Sequence, residues 1–214
     1  MQKNIASIRK SYSQKKLLEK KAAADPFRQF SKWWKQAVKS GIDEVNAMTL
    51  ATAGSDGVPS ARIVLLKDFS DKGFSFFTNY NSFKGIQLNE NPKACLVFFW
   101  KELERQVRIT GLVEKLDAEA NDSYFDTRPE ESRIGAVTSP QSQVIENRDW
   151  LDDRYKQLSK ELKGKKIERP VHWGGYLVKP VLVEFWQGRP GRLHDRLQYS
   201  LETSGAWKLE RLAP

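Results

Sequence analysis

Hydrophobic side chains recur at helical spacing in a few stretches of this chain and alternate in many more. Asp25-Pro26 opens the clearest helix, with Asp supplying an N-cap oxygen and Pro fitting the first helical position. Phe27, Phe30, Trp34 and Val38 then follow on one face, and Gly41 ends the run. Beyond residue 46 the pattern predicts strands and tight turns. Ala47–Ala53 leads into the hairpin signal Gly54-Ser55-Asp56-Gly57, Val58–Asp68 forms a second strand, and Asp71-Lys72-Gly73 turns the chain into Phe74–Asn79. A short helical piece over Ser82–Asn89 stops before Asn91-Pro92. Lys93–Trp100 is apolar enough for burial on both faces, with Cys95 as an inert core thiol, and Glu104–Leu116 alternates with Val107, Ile109, Gly111 and Val113 on one side. Residues 118–163 read as helical, from Ala118 to Thr127, with a break at Pro129, then from Asn147 to Leu162. Strand character returns at Trp173–Val178, Val181–Trp186, Leu193–Tyr199 and Ala206–Arg211. Strands that are not regularly interleaved with helices argue against a doubly wound parallel sheet. They predict a fold that is mainly β with helices (α+β), an antiparallel barrel in one domain over residues 25–214.

The 214 residues can bury a sizeable core, and 7 Trp, 11 Phe and 6 Tyr exclude a disordered polymer. The longest apolar run, Cys95–Trp100, is far short of a membrane helix, and the polar start lacks the apolar centre of a secretory signal. The lone Cys95 cannot form an internal disulfide, and no Cys/His cluster has zinc spacing. A soluble cytoplasmic protein without a bound metal or a membrane partner is expected.

Charge changes the picture at one end only. Residues 1–40 carry 11 Lys and Arg against Glu19 and Asp25, whereas the other 174 residues balance 25 against 25, so the whole net charge of +9 sits on the N-terminal part. Residues 1–24 read as a polar, mobile basic segment, helical or frayed. It could bind nucleic acid, be simply solvated, or close over a phosphorylated small molecule. The body shows no nucleic-acid motif, so no nucleic-acid partner is expected.

Four stretches can carry chemistry. Arg62-Ile63-Val64-Leu65-Leu66-Lys67 puts a cation at each end of an apolar strand, on opposite faces if the strand is regular. Around Thr78, Ser82 and Lys84 a strand ends and a helix begins, which suits either phosphate binding or an ordinary helix cap. Tyr124, Arg128 and Ser132 lie four residues apart, so an unbroken helix would put three hydrogen-bond donors on one side, although Pro129 disturbs it. His172 reads as a strand-entry residue. In Arg192-Leu193-His194-Asp195-Arg196 the residues 192, 194 and 196 share a strand face, and two guanidiniums around an imidazole are costly unless an anion joins them.

Taken in order, RIVLLK (62–67), ERQVR (104–108), YFDTRPEESRIGA (124–136), SPQSQ (139–143), HWGGY (172–176), EFWQG (184–188) and RLHDR (192–196) resemble the pyridoxine/pyridoxamine 5′-phosphate oxidase family. The resemblance runs from about Ile5 to Pro214. It implies an FMN-binding split β-barrel homodimer that oxidises pyridoxine 5′-phosphate and pyridoxamine 5′-phosphate with O2, yielding pyridoxal 5′-phosphate and hydrogen peroxide, and ammonia from the amine. It further implies FMN contacts from Arg62, Lys84, Gln106, Gln141, Ser142, Trp173 and Arg196, with Ile63, Val64, Leu65, Leu66, Lys67, Phe77 and Thr78 along the same wall. Lys67, Tyr124, Arg128 and Ser132 match the family's clamp on the substrate phosphate. Arg192 and His194 match the residues beside the pyridine ring and are the implied catalytic pair. Arg9 and Tyr12 match an N-terminal segment that closes over the substrate. Phe83, where many members have Arg, and Phe77, where Tyr is frequent, depart from the pattern. The alternatives are another split-barrel flavin reductase, a non-catalytic flavin-binding protein, and a basic-arm nucleic-acid binder.

Overall fold

The computed structural model describes residues 4–214. They form an antiparallel sheet with five α-helices: α1 (Pro26–Lys39), β1 (Ala47–Ala53), β2 (Pro59–Leu65), β3 (Asp68–Ser70), β4 (Gly73–Asn79), α2 (Phe83–Glu90), β5 (Lys93–Trp100), β6 (Arg105–Lys115), α3 (Ala118–Asp126), α4 (Glu130–Thr138), α5 (Arg148–Glu161), β7 (Trp173–Gln187), β8 (Asp195–Leu201) and β9 (Trp207–Leu212). The strand order is β2-β1-β5-β6-β7-β4-β3, with β8 on β7 and β9 on β8. Among the described residues this path does not close on itself. The antiparallel sheet with helices is as expected, and its strand path ends at β3, a strand of three residues.

The chain gathers into two compact units, the first from the chain up to Leu50 with Cys95–Gly111 and Pro180–Pro214, the second from Ala51–Ala94 and Leu112–Lys179. In the first, the Asp25 carboxylate accepts the Arg28 N–H at 2.9 Å with Pro26 in the opening turn, as the sequence predicts. The buried stripe differs from the expected one: Phe30, Trp33 and Ala37 face the core, while Val38 is 52% exposed. Phe30 packs on Phe98 and Trp100, and Trp33 meets Phe185 edge-on. The expected Trp34 is only half-buried, stacking on Phe30 at 6.0 Å, and Trp33 takes the core position instead. Residues 5–24 form two short 3₁₀ turns, Ile5–Ser7 and Glu19–Lys21, with irregular backbone between them.

In the second unit β4 pairs antiparallel with the first half of β7, Phe74↔Val178 through Asn79↔Trp173. The core there is Phe125, Ile134, Ile167 and Trp173. Gly175 lets the layers approach, because a Cβ on it would stand 2.5 Å from Leu116 Cδ1 and 2.8 Å from Phe77 Cε1. The strands read separately as Trp173–Val178 and Val181–Trp186 are one, β7. Pro180 falls between the stretch paired to β4 and the stretch paired to β8, which starts at Leu182, so neither ladder needs the N–H it lacks. Val58–Asp68 is not one strand, since β2 stops at Leu65 and Asp68 begins β3. Lys93–Trp100 buries one face only. Phe99 is 53% exposed and Cys95 half-buried, so the thiol lies outside the core.

Candidate functional site

A cavity of about 700 Å³ opens in the second unit, within the size range of small-molecule and cofactor sites. Its lining includes Arg62, Lys67, Lys84 and Arg128 and contains no Asp or Glu. One wall is aromatic: the Phe77 ring stacks on Tyr124 at 3.9 Å and on Trp173 at 5.4 Å. Strand ends and helix starts deliver these groups. Lys67 lies two residues past the end of β2, its N–H held by the Ser75 carbonyl at 2.9 Å. The expected opposition of Arg62 and Lys67 is thus corrected. Alternation ends with the strand at Leu65, and both residues border one cavity.

Lys84 sits in the first turn of α2, buried, with its ammonium 3.2 Å from Gln141 Oε1 and 3.3 Å from Thr78 Oγ1 and Ser82 Oγ, all neutral acceptors. Burial, and then the nearby Arg62 charge, lower its pKa to about 8. Ser82 is the ordinary helix cap, its Oγ accepting the Gly85 N–H at 3.4 Å, and it does not line the cavity. The Arg62 guanidinium donates to Thr52 Oγ1 and Ser60 Oγ, and burial lowers its pKa as well.

Tyr124, Arg128 and Ser132 do meet at the cavity, but not on one helix. Tyr124 lies in α3, and Ser132 in the first turn of α4, a helix absent from the sequence reading. The α4 N-terminus has no side-chain cap, and its flanking Arg128, Pro129 and Ser132 line the cavity, an arrangement suited to an anion. Arg128 stacks over Trp173 at 4.5 Å, and its Nη1 is buried without a hydrogen-bond partner. An orphaned buried guanidinium nitrogen is expensive, and an incoming anion would satisfy it. The sequence reading also missed Thr127, Pro129, Gly135, Ala136 and Ser139 as lining residues. A signal existed for part of this set: Ser132, Gly135, Ala136 and Ser139 recur at i, i+3, i+4 and i+7, a face of small side chains that leaves room for a ligand.

The other predicted residues lie elsewhere. Leu66 is buried at 4% exposure, and Ser142, exposed with φ 70°, does not line the cavity. Gln106, Arg192, His194, Arg196, Arg9 and Tyr12 belong to the first unit. Arg9 is exposed, and Gln106 is half-buried on β6. The shared strand face of 192, 194 and 196 does not form. Gly191 and Arg192 adopt positive φ in a 3₁₀ turn, and β8 begins only at Asp195. Arg196 is ion-paired to Glu184, with Nε to Oε1 at 3.0 Å and Nη2 to Oε2 at 3.1 Å. His194 Nδ1 accepts the Arg189 N–H at 3.1 Å, which puts the proton of the neutral ring on Nε2. Burial, then the Arg192 charge, lower its pKa. His172 precedes β7 as expected, its carbonyl accepting the Tyr80 N–H at 2.6 Å.

Among the described residues, no helix is long and apolar enough to cross a membrane. A family model described as pyridoxamine 5′-phosphate oxidase matches residues 34–160, and one described as pyridoxine 5′-phosphate oxidase C-terminal dimerisation region matches residues 173–214. A pyridoxine/pyridoxamine 5′-phosphate oxidase of Nostoc punctiforme is 55% identical over 214 residues, all of both chains. One of Flavobacterium johnsoniae is 49% identical over 211 residues, 98% of this chain and 99% of its own. Among solved structures, PhzG from Burkholderia lata in complex with tetrahydrophenazine-1-carboxylic acid superposes with a TM-score of 0.89 at 29% identity, covering 94% of this chain and 100% of that one. An FMN-binding, pyridoxamine 5′-phosphate oxidase-related protein from Nostoc punctiforme gives 0.71 at 18% identity, covering 89% and 98%, a likeness of fold.

Proposed function

This chain belongs to the pyridoxamine 5′-phosphate oxidase family, and from that membership we propose that it oxidises pyridoxine 5′-phosphate and pyridoxamine 5′-phosphate with O2. The products are pyridoxal 5′-phosphate and hydrogen peroxide, with ammonia from the amine. The protein acts as a cytoplasmic split-barrel homodimer that carries FMN. One observation carries the reading: four cations and no carboxylate line a cavity with a stacked aromatic wall. Substrate and cofactor each bring an aromatic ring and a phosphate, and the cavity offers both kinds of partner. The orphaned Arg128 Nη1 and the buried Lys84 ammonium also fit such anions. The matched dimerisation region and the exposed apolar side chains of Ile63, Phe99 and Leu112 support a second copy as partner.

When bound, FMN would supply a two-electron acceptor for hydride from the substrate C4′, with O2 as the final oxidant. The residues supply position and charge. Arg62 and Lys84 hold the cofactor phosphate, with Thr78 and Gln141 orienting the Lys84 ammonium. The family resemblance implies further cofactor contacts from Gln106, Ser142, Trp173 and Arg196, of which Trp173 lines this cavity. Lys67, Tyr124, Arg128 and Ser132 anchor the substrate phosphate, and that remote binding energy fixes the reacting carbon in place. Arg192 orients the ring, while His194 donates from Nε2. Arg9 and Tyr12 cover the bound substrate. The clamp formed by Tyr124, Arg128 and Ser132 argues against a flavin reductase or a non-catalytic binder, which has no need of a second phosphate site. The test is an aerobic assay of FMN-loaded protein with each substrate, following aldehyde and peroxide. Formation of both products is expected, and absence of turnover with either substrate overturns the reading.

A further inference from the structure

Resting on that reading, we propose that Glu104 is a positioning residue for substrate binding: its buried carboxylate holds the N-terminal segment so that Tyr12 stands against His194.

Glu104 follows the 3₁₀ turn Lys101–Leu103 and adopts a left-handed backbone, φ 53°, an uncommon conformation for a residue with a side chain. Its side chain is 3% exposed, and Oε2 accepts the backbone N–H groups of Ser13 at 2.9 Å and Gln14 at 3.1 Å. The Lys10 ammonium stands 3.9 Å from Oε1. The Glu104 carbonyl is also engaged, taking the Gly188 N–H at 2.8 Å and Gln187 Nε2 at 3.1 Å. Buried carboxylates are costly without hydrogen bonds, and both amides given to this one come from the N-terminal segment. That segment forms no helix or strand over residues 8–18, so little of its own backbone fixes it.

Tyr12, next to those amides, meets Trp186 edge-on at 5.6 Å and His194 at 5.9 Å, while Trp186 and His194 lie 4.6 Å apart. Gly188 makes room, since a Cβ there would come 2.7 Å from Tyr12 Cβ. On the far side the Leu17 N–H is held by Asp195 Oδ2 at 3.0 Å and its carbonyl by Arg211 at 2.9 Å. Tyr12 lies outside the stretch between the two anchors and adjoins the Glu104 clamp, beside which Gln14 Nε2 donates to the Glu102 carbonyl at 2.8 Å. Glu104 therefore acts through the segment and touches neither substrate nor cofactor.

The experiment uses the FMN-loaded full chain with Glu104→Ala, Glu104→Gln, Tyr12→Ala and the double variant Tyr12→Ala/Glu104→Ala. Losing two amide bonds to a charged acceptor should raise KM for pyridoxine 5′-phosphate about tenfold, with kcat within about twofold. Glu104→Gln keeps an acceptor oxygen and should stay within about threefold of the parent. In the Tyr12→Ala background, Glu104→Ala should add less than about twofold, because the residue it positions is gone. Trypsin cleavage after Lys15 or Lys16, both exposed, should become about tenfold faster in Glu104→Ala and remain slow in Glu104→Gln. Multiplicative KM effects in the double variant overturn the proposal, as does an unchanged cleavage rate. Ser13→Pro removes one donor from an exposed position and should shift KM and cleavage in the same direction, which keeps the test available if Glu104→Ala does not fold. A parent protein that oxidises neither substrate defeats the functional reading alone, because cleavage still reports the clamp.

Discussion

Two groups of cations, one around Glu184 and Asp195 in the first unit and one at the cavity of the second, keep opposite kinds of partner. In the first, guanidiniums converge on carboxylates: Arg108 and Arg196 share Glu184 at 3.5 and 3.0 Å, and Arg189 and Arg211 share Asp195 at 3.5 and 3.0 Å. In the second, Lys67, Lys84 and Arg128 border the cavity with no carboxylate partner among the described residues. A count of cations does not separate the two patterns; the partners do. Paired charges hold strands and segments together, whereas cations left with neutral neighbours suit an anionic ligand. Arg196 stands between the patterns. Three of its N–H groups are spent on Glu184 and the Ala213 carbonyl, and a guanidinium has five. The contact proposed for it must use the remaining two.

Removing a shared carboxylate should therefore have the largest effect. Glu184 is 3% exposed, and Glu184→Ala strands two arginines, a type of loss that costs about 3–5 kcal/mol when the pair is buried. Both arginine side chains are partly exposed, so urea unfolding should place the loss near the lower end. A loss below about 1 kcal/mol, the value of an ordinary surface pair, breaks the comparison.

Arg128→Ala should leave stability nearly unchanged and act on binding instead. A charge-assisted hydrogen bond is worth about 1.5–3 kcal/mol, so KM for either phosphorylated substrate should rise about 10- to 100-fold while kcat changes little. An unchanged KM removes Arg128 from the clamp.

Lys84→Met sharpens the contrast through pH. The folded pKa of Lys84 lies near 8, against 10.5 unperturbed, so between those values the unfolded chain holds a proton that the folded one has released. Apo-protein stability from this group thus rises with pH across that window, and the charged lysine disfavours folding below it. Lys84→Met should therefore leave apo stability at neutral pH equal or higher. An anion needs the ammonium, so FMN affinity should fall as pH rises above about 8, by at most about tenfold per unit, and the variant should lose that slope. Fluorescence titration of FMN between pH 7 and 9 measures it. The same slope in both proteins removes Lys84 from the phosphate site.

Local chemistry made much of this legible in advance. Asp25-Pro26 starts α1 because cap and ring act within one turn, and Ala47–Ala53 and Lys93–Trp100 are strands with the expected bounds. What depended on where an element stops was not legible. Lys67 changes sides because β2 ends at Leu65, and Arg192 and His194 leave the expected strand face because Gly191 and Arg192 turn left-handed. Helix α4 was hidden because Pro129 read as a break, whereas it serves as the N-cap, and because Gly135 and Ala136 weaken the apolar signal. The cavity residues came mostly from the family resemblance. Spacing alone could not have joined Arg62 to Arg128, which lie on a strand and a loop 66 positions apart.

The smallest expected effect concerns Phe83, the position where this chain departs from the family's arginine. Phe83 is 55% exposed at the first position of α2 and does not line the cavity, while Lys84 beside it does. An arginine there would add a cation near the proposed phosphate, but screened by solvent, where a charge pair is worth about 0.2–1 kcal/mol. It would also put positive charge at a helix N-terminus, which costs about 0.3–1 kcal/mol. That cost falls on free and bound protein alike, so only the screened pair enters the affinity, and Phe83→Arg should change FMN affinity by less than about fivefold, in contrast with the loss in Lys84→Met. A tenfold gain in the same fluorescence titration would mean that the guanidinium reaches the phosphate directly. The division between buried ligand cations and exposed neighbours would then have to be redrawn at α2.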